Sequence, residues 1–192
     1  MIFVPSLISF FLYVCFVAVW IGLTDINNVL FGSTEEWWRS FLFLPHAVRV
    51  LSAVYLGWSA LPGLFLAHLL SWYLIFGEVT VFQLLAIVFS ASGCNIAVVL
   101  LQSSYIGPTA TNLRSFNEGL YRHVFLVGLV GSLIISTVNG IFISWSGGQS
   151  IIDPMMTLRF IVGDMLGLVV TIFFASLIRS YVREYLKRDD AA

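Results

Sequence analysis

The sequence predicts an all-α integral membrane protein, a bundle of about six transmembrane helices with both termini in the cytoplasm. Of its 192 residues, 59% are hydrophobic and 10% are charged, whereas a soluble domain carries about 25% charged residues. The apolar residues fall into six long runs, and within lipid only helices or closed barrels satisfy the backbone. The runs lack the alternating pattern of barrel strands, so each run is predicted to be a helix.

The six runs form one predicted transmembrane domain over residues 1–192, with a short basic cytoplasmic tail over residues 181–192. Glycine, asparagine and proline between the runs are typical of loops. The first run is interpreted as a retained span, because it lacks the basic segment and the small-residue cleavage site of a signal peptide. The predicted spans are 3–23, 41–57, 60–76, 79–102, 121–146 and 157–180.

The second span is predicted to be short or kinked at Pro45. Proline suits the first turn of a helix, and a helix that starts there reaches Gly57 after about 12 residues, or about 18 Å. The hydrocarbon core of a bilayer is about 30 Å thick. Two arrangements stay open: residues 41–44 enter the bilayer extended and shielded by protein, or a helix kinks at Pro45.

The distribution of basic residues predicts the orientation. With six spans, one side of the membrane holds six Lys and Arg residues and the other side holds two. The positive-inside rule places the richer side, which includes both termini, in the cytoplasm. The net charge of −1 gives no reason to expect nucleic acid as a partner. The inner residues are Arg114, Arg122, Arg179, Arg183, Lys187 and Arg188, and the outer ones are Arg39 and Arg159.

Two oppositely charged residues lie inside predicted spans, Arg49 in the second and Asp164 in the sixth. A charge within the membrane costs about 2.5–3.5 kcal/mol on insertion scales, so a partner is expected. Counted from the start of their spans, both residues lie roughly 10–12 Å below the outer boundary. Equal depth and opposite charge predict a buried Arg49–Asp164 ion pair.

Four further polar side chains are predicted near the same depth. His46 precedes Arg49 by three residues and shares its helical face, and the others are in the third, fifth and sixth spans. Two interpretations stay open: the side chains hold helices together by hydrogen bonds, or they line an outward-facing pocket for a small ligand, an ion or a proton. The candidate ligand-binding residues are Arg49, Asp164, His46, His68, Asn139 and Arg159.

The sequence predicts neither catalysis nor a bound cofactor or metal. It contains no Gly-x-Ser-x-Gly elbow, no His-Glu-x-x-His helix and no Gly-rich phosphate loop. Glu35 and Glu36 are interpreted as solvated charges in the first loop, and Cys15 and Cys94 as small apolar residues without metal-ligand spacing.

Small residues recur at every fourth position of the last two spans. Such stripes let helix backbones approach closely, either within the bundle or against a second copy of the chain. They comprise Gly128, Ser132, Ser136 and Gly140 in the fifth span, and Gly163 and Gly167 in the sixth.

Five short motifs occur in a characteristic order along the chain. They are Leu44-Pro45-His46, Leu56-Gly57-Trp58, Leu61-Pro62-Gly63, Gly93-Cys94-Asn95 and Gly163-Asp164-Met165-Leu166-Gly167. This order resembles the membrane-associated sensor domains of the MASE type, the first described of that series, over about residues 40–178. In that family a proline-opened helix leads through a glycine to a Pro-Gly pair, and Gly-Asn and Gly-Asp-x-x-Gly elements follow.

The resemblance implies a non-enzymatic sensory module of the bacterial inner membrane. Such modules are normally fused to a histidine kinase or a diguanylate cyclase. Because no output domain follows here, we expect signalling through a separate protein, with the lipid bilayer and a small molecule or ion as the other partners. Two alternatives stay open: the substrate-binding subunit of a vitamin or ion transporter, and a structural membrane assembly factor.

Overall fold

The computed structural model describes residues 3–31, 42–103, 118–146 and 154–189. Its regular secondary structure is helical throughout these ranges, which confirms the predicted all-α fold class. Glu35, Glu36 and the last residues of the predicted tail lie outside the described ranges. The helices are α1 (Phe3–Phe31), α2 (Pro45–Tyr55), a 3₁₀ helix (Gly57–Ala60), α3 (Leu61–Phe76), α4 (Val81–Ser103), α5 (Glu118–Ser146) and α6 (Pro154–Asp189).

Five helical segments in the described ranges are long and apolar enough to cross a membrane, as expected of a multi-pass membrane protein. They belong to α1, to the 3₁₀ helix together with α3, and to α4, α5 and α6. Helix α2 has only 11 residues, or about 16 Å. It is therefore too short to cross the hydrocarbon core as a helix.

The chain enters α2 through a non-helical segment rather than through a kinked helix. Leu42 and Phe43 are not helical, and α2 begins at Pro45. The backbone amide of Phe43 donates a hydrogen bond to the carbonyl oxygen of Gly163 on α6, at 3.0 Å. Irregular backbone inside a membrane must find such a partner within the protein. The predicted short second helix is thus confirmed, and residues 42 and 43 ahead of it are non-helical, whereas residue 41 lies outside the described ranges.

Helix α2 occupies the centre of the bundle. Nine of its 11 residues are buried, and it contacts α1, α4, α5 and α6. Val50 and Ala53 pack into an apolar core with α4, α5 and α6. Val48 joins a second core, formed with α1 and α3. Movement of α2 would therefore disturb both cores.

Contacts between helices show that α2 runs antiparallel to α1. The rings of Trp20 and Phe43 lie 5.1 Å apart at one end of the pair. Towards the other end, the hydroxyl of Ser9 donates to that of Ser52 at 3.1 Å. The chain from Phe43 onward thus crosses most of the bundle, although its helical part is short.

The remaining helices continue this alternation. Helix α3 returns alongside α1, where the Tyr13 hydroxyl meets the His68 ring. Helices α4 and α5 are antiparallel, because Phe82 contacts Trp145 while Cys94 packs against Gly131 farther along. With α6 parallel to α2, the start of α1 and the end of α6 lie at the same face of the bundle.

Two left-handed glycines allow the turns that flank α3. Gly57 has φ +59° between α2 and the 3₁₀ helix, and Gly77 has φ +77° after α3. Thr80 and Gln83 then form a reciprocal capping box ahead of α4, with the Thr80 amide donating to Oε1 of Gln83 at 2.7 Å. These local signals fix where α3 ends and α4 begins.

The predicted small-residue stripes face the protein's own bundle. Ser132 and Ser136 of α5 are buried. A Cβ on Gly128 would collide with the side chain of Leu168, and a Cβ on Gly167 would collide with the backbone of Phe43. Both glycines are therefore needed for close approach within one chain.

Candidate functional site

The candidate site lies where the beginning of α2 meets the middle of α6. Gly163 accepts the amide hydrogen bond of Phe43, and Gly167 leaves room for the backbone of Phe43 and Leu44. The first turn of α2 is thereby held directly against α6. Asp164 lies between the two glycines, so its side chain is brought to the start of α2.

The carboxylate of Asp164 receives two cationic or polar partners from α2. Nη2 of Arg49 lies 3.4 Å from Oδ1, and Nδ1 of His46 lies 3.2 Å from Oδ2. All three side chains are buried, with His46 0%, Arg49 3% and Asp164 4% exposed. The predicted Arg49–Asp164 pair is confirmed, and His46 belongs to the same cluster. We call His46, Arg49 and Asp164 the buried triad.

Additional contacts hold the two cationic members of the triad. Nε2 of His46 donates to the carbonyl oxygen of Gly128 on α5, at 3.1 Å. The guanidinium carbon of Arg49 lies 5.1 Å from the centre of the Phe43 ring, a distance at which a cation is attracted to the ring face. Nε of Arg49 and Nδ1 of His46 are buried without a hydrogen-bond partner. The triad therefore joins α2, α5 and α6.

A second buried polar pair lies between α1 and α3. The Tyr13 hydroxyl is 2.9 Å from Nε2 of His68, and the two rings stack with their centres 4.2 Å apart. Nδ1 of His68 is 3.0 Å from the carbonyl oxygen of Leu64. Since a carbonyl oxygen only accepts, Nδ1 carries the hydrogen and the Tyr13 hydroxyl donates to Nε2. This assigns His68 as neutral with a hydrogen on Nδ1.

The other sequence-predicted site residues lie elsewhere in the bundle. Oδ1 of Asn139 accepts a hydrogen bond from the Ser90 hydroxyl at 3.2 Å, which links α5 to α4. Arg159 is exposed on α6. Five residues separate it from Asp164, a rotation of about 140° around the helix. The structure thus brings His46, Arg49 and Asp164 together, pairs His68 with Tyr13, and leaves Asn139 and Arg159 outside the triad.

Sequence reasoning missed three contributors to the site. Tyr13 carried one signal, a hydroxyl in the middle of an apolar run, where a hydrogen-bond partner is expected. Phe43 and Gly128 gave no polar signal at all. Phe43 contributes its ring face and backbone amide, and Gly128 contributes its carbonyl oxygen and the space left by a missing side chain. Only the packing of α2 against α5 and α6 gives these groups a role.

The triad is suited to binding and to holding charge. Two potential cations share one carboxylate in a site sheltered from water, where electrostatic interactions are strong. Within the described ranges, no group of three or more His, Cys, Asp and Glu side chains is arranged to hold a metal ion. Protein-family models, curated proteins and solved structures gave no match to this chain.

Proposed function

We propose that this protein is a non-enzymatic sensory module of the bacterial inner membrane, which binds a ligand or an ion at the buried triad and signals through a separate protein. The observation that carries the proposal is the burial of Arg49, His46 and Asp164 between the central helix and α6. Ionisable groups in a membrane interior are costly and commonly mark ligand or ion sites.

The position of the triad supports a signalling role. A ligand that draws Asp164 away from Arg49 would loosen α6 from the first turn of α2. Because α2 contacts four other helices, such a change would be transmitted through the bundle. Two packings of α2 against α6 would form the two-state element that a sensor requires.

Helix α6 supplies a route to a partner. It has 36 residues, or about 54 Å, which exceeds the thickness of the hydrocarbon core. Residues 173–182 are exposed on all sides of the helix. The positive-inside rule places this end, with the start of α1, in the cytoplasm, where a separate signalling protein can read its position.

The test is to isolate the full-length protein from bacterial membranes and analyse it by native mass spectrometry. We expect the wild-type protein to retain a partner protein. The fraction of partner retained should change when Arg49 is replaced by Gln. Arg159→Gln is the matched control, because it removes the same charge from an exposed position of α6. Labelling of a cysteine added after Ala192 should require permeabilised cells.

Other outcomes identify the alternatives. A tightly retained small molecule together with an energising transport subunit would show that the protein is the substrate-binding subunit of a transporter and not a sensor. If neither a ligand nor a partner is retained and Arg49→Gln affects only folding, the result would support a structural assembly factor. Either result would overturn the proposed signalling function.

A further inference from the structure

The two ring nitrogens of His46 differ in their surroundings: Nε2 has a hydrogen-bond acceptor, whereas Nδ1 lies beside the Asp164 carboxylate without forming a hydrogen bond. Nε2 donates to the carbonyl oxygen of Gly128 at 3.1 Å, so Nε2 carries a hydrogen. In a neutral imidazole, Nδ1 is then an acceptor with a lone pair. It lies 3.2 Å from Oδ2 of Asp164, which is also an acceptor when the carboxyl group is ionised. Without a further hydrogen, Nδ1 is left buried beside another acceptor and has no hydrogen-bond partner.

We propose that the ion bound by the triad is a proton, held between Nδ1 of His46 and Oδ2 of Asp164. The proton comes from a hydronium ion, which leaves as water, and forms one N–H or O–H bond, giving either an imidazolium beside a carboxylate or an imidazole beside a carboxylic acid. Both forms have the same composition. This inference rests on the proposed function and names its ligand.

Two opposing electrostatic effects make binding of the proton reversible. Without the proton, Arg49 and Asp164 neutralise each other, but the facing acceptors of His46 and Asp164 repel. With the proton, that repulsion becomes an attraction, but the triad carries a net positive charge in a site poorly reached by water. The ring of Phe43 and the carbonyl of Gly128 offset part of this charge.

The other titratable groups around the triad leave the assignment intact. Tyr13 on α1, His68 on α3 and Cys94 on α4 are within electrostatic range of Arg49. Tyr13 and His68 satisfy each other in one neutral hydrogen bond. On α5 the nearest titratable side chain along the helix is that of His123, five residues from Gly128. Of the groups named here, Asp164 alone supplies a carboxylate.

Release of the proton would change the contact between α2 and α6. His46 would lose its attraction to Asp164 and keep only its bond to α5. Asp164 would be held by Arg49 alone, at 3.4 Å. The bound proton therefore favours the packing in which the start of α2 is fastened to α6.

The experiment is solid-state NMR of the full-length protein in lipid bilayers, with ¹⁵N in the histidine rings, over the range of about pH 5 to 8 in which histidine titrates. His46→Gln assigns the His46 signals. We expect both nitrogens of His46 to be protonated at the acidic end and Nε2 alone at the alkaline end. His68 is the internal control, with its single hydrogen on Nδ1 throughout.

Variants test the role of the carboxylate. Asp164→Asn should abolish the doubly protonated His46 signal, while Arg159→Gln should leave it unchanged. If Asp164→Asn does not fold, the wild-type titration together with the infrared carbonyl band of ¹³C-labelled aspartate decides. The proton assignment would be overturned if His46 kept one protonation state over the whole range and the infrared spectrum showed no pH-dependent carboxylic acid band for Asp164.

The same spectrum separates this inference from the proposed function. If His46 titrates in a protein that retains no signalling partner, the proton site is supported and the proposed signalling function is refuted. If a partner is retained but neither His46 nor Asp164 titrates, the proposed signalling function is supported and the proton is refuted as its ligand.

Discussion

Replacing Gly167 with alanine should destabilise the protein by separating α6 from the segment that precedes α2. A Cβ at this position would lie 2.6 Å from the carbonyl carbon of Phe43 and 2.9 Å from the amide nitrogen of Leu44. Both are backbone atoms and cannot rotate away. Ordinary contact begins at 3.4 Å, and the carbonyl oxygen of Phe43 would lie nearer still than its carbon. The two segments must therefore separate by at least about 0.8 Å, a displacement that a well-packed interior resists.

The separation has a cost that can be estimated. Overpacking of this kind costs about 1–3 kcal/mol. The hydrogen bond from Phe43 to Gly163, now 3.0 Å, would lengthen out of range, and its loss costs about 0.5–1.5 kcal/mol. Alanine recovers about 0.5–1 kcal/mol through its helix propensity. The expected net loss is about 2 kcal/mol in the free energy of unfolding.

Reversible unfolding in mixed detergent micelles measures this difference. Gly22→Ala is the matched control, because no atom lies within 4 Å of a Cβ built at that position of α1. Gly22→Ala should leave the free energy of unfolding unchanged or raise it by about 0.5–1 kcal/mol, which is a stabilisation. If Gly167→Ala proved as stable as Gly22→Ala, the close approach of the backbone to α6 would not be what fastens α2.

Four further substitutions probe the buried polar contacts and the packing of α3. Arg49→Met and Asp164→Leu should each lower the free energy of unfolding by about 3–5 kcal/mol, because each leaves one buried charge unpaired. The double variant should lose less than either single variant. Additive losses in the free energy of unfolding would contradict the pair. Tyr13→Phe should cost about 1–3 kcal/mol, since Nε2 of His68 is left buried without a donor, and unchanged stability would refute that bond. Gly63→Ala should reduce folded yield, because a Cβ there would collide with a backbone carbonyl of α1; a yield equal to that of Gly22→Ala would show the approach to be looser.

The pairing of Arg49 with Asp164 was predictable from the sequence. A helix advances 1.5 Å per residue, so counting from the span boundary placed Arg49 and Asp164 at one level, and they form a pair in the structure. The short second helix followed from Pro45 in the same way, because proline favours the first turn.

The direction in which a side chain points was harder to predict. His46 and Arg49 share a face because three residues turn a helix by about 300°, and both reach Asp164. Arg159 has a similar depth but lies about 140° around α6 from Asp164, on an exposed side. Asn139 faces Ser90 instead of the triad, because α4 is the neighbour on that side of α5.

The sequence by itself predicted apolar helices long enough to span a membrane and the Arg49–Asp164 pair, because hydropathy and helical rise are properties of a single chain segment. Only the tertiary structure decided which helices are neighbours: α2 became the centre, Phe43 and Gly128 became partners of the triad, and His68 found Tyr13. Packing of whole helix surfaces sets these contacts, and no local pattern encodes the rotation of one helix against another.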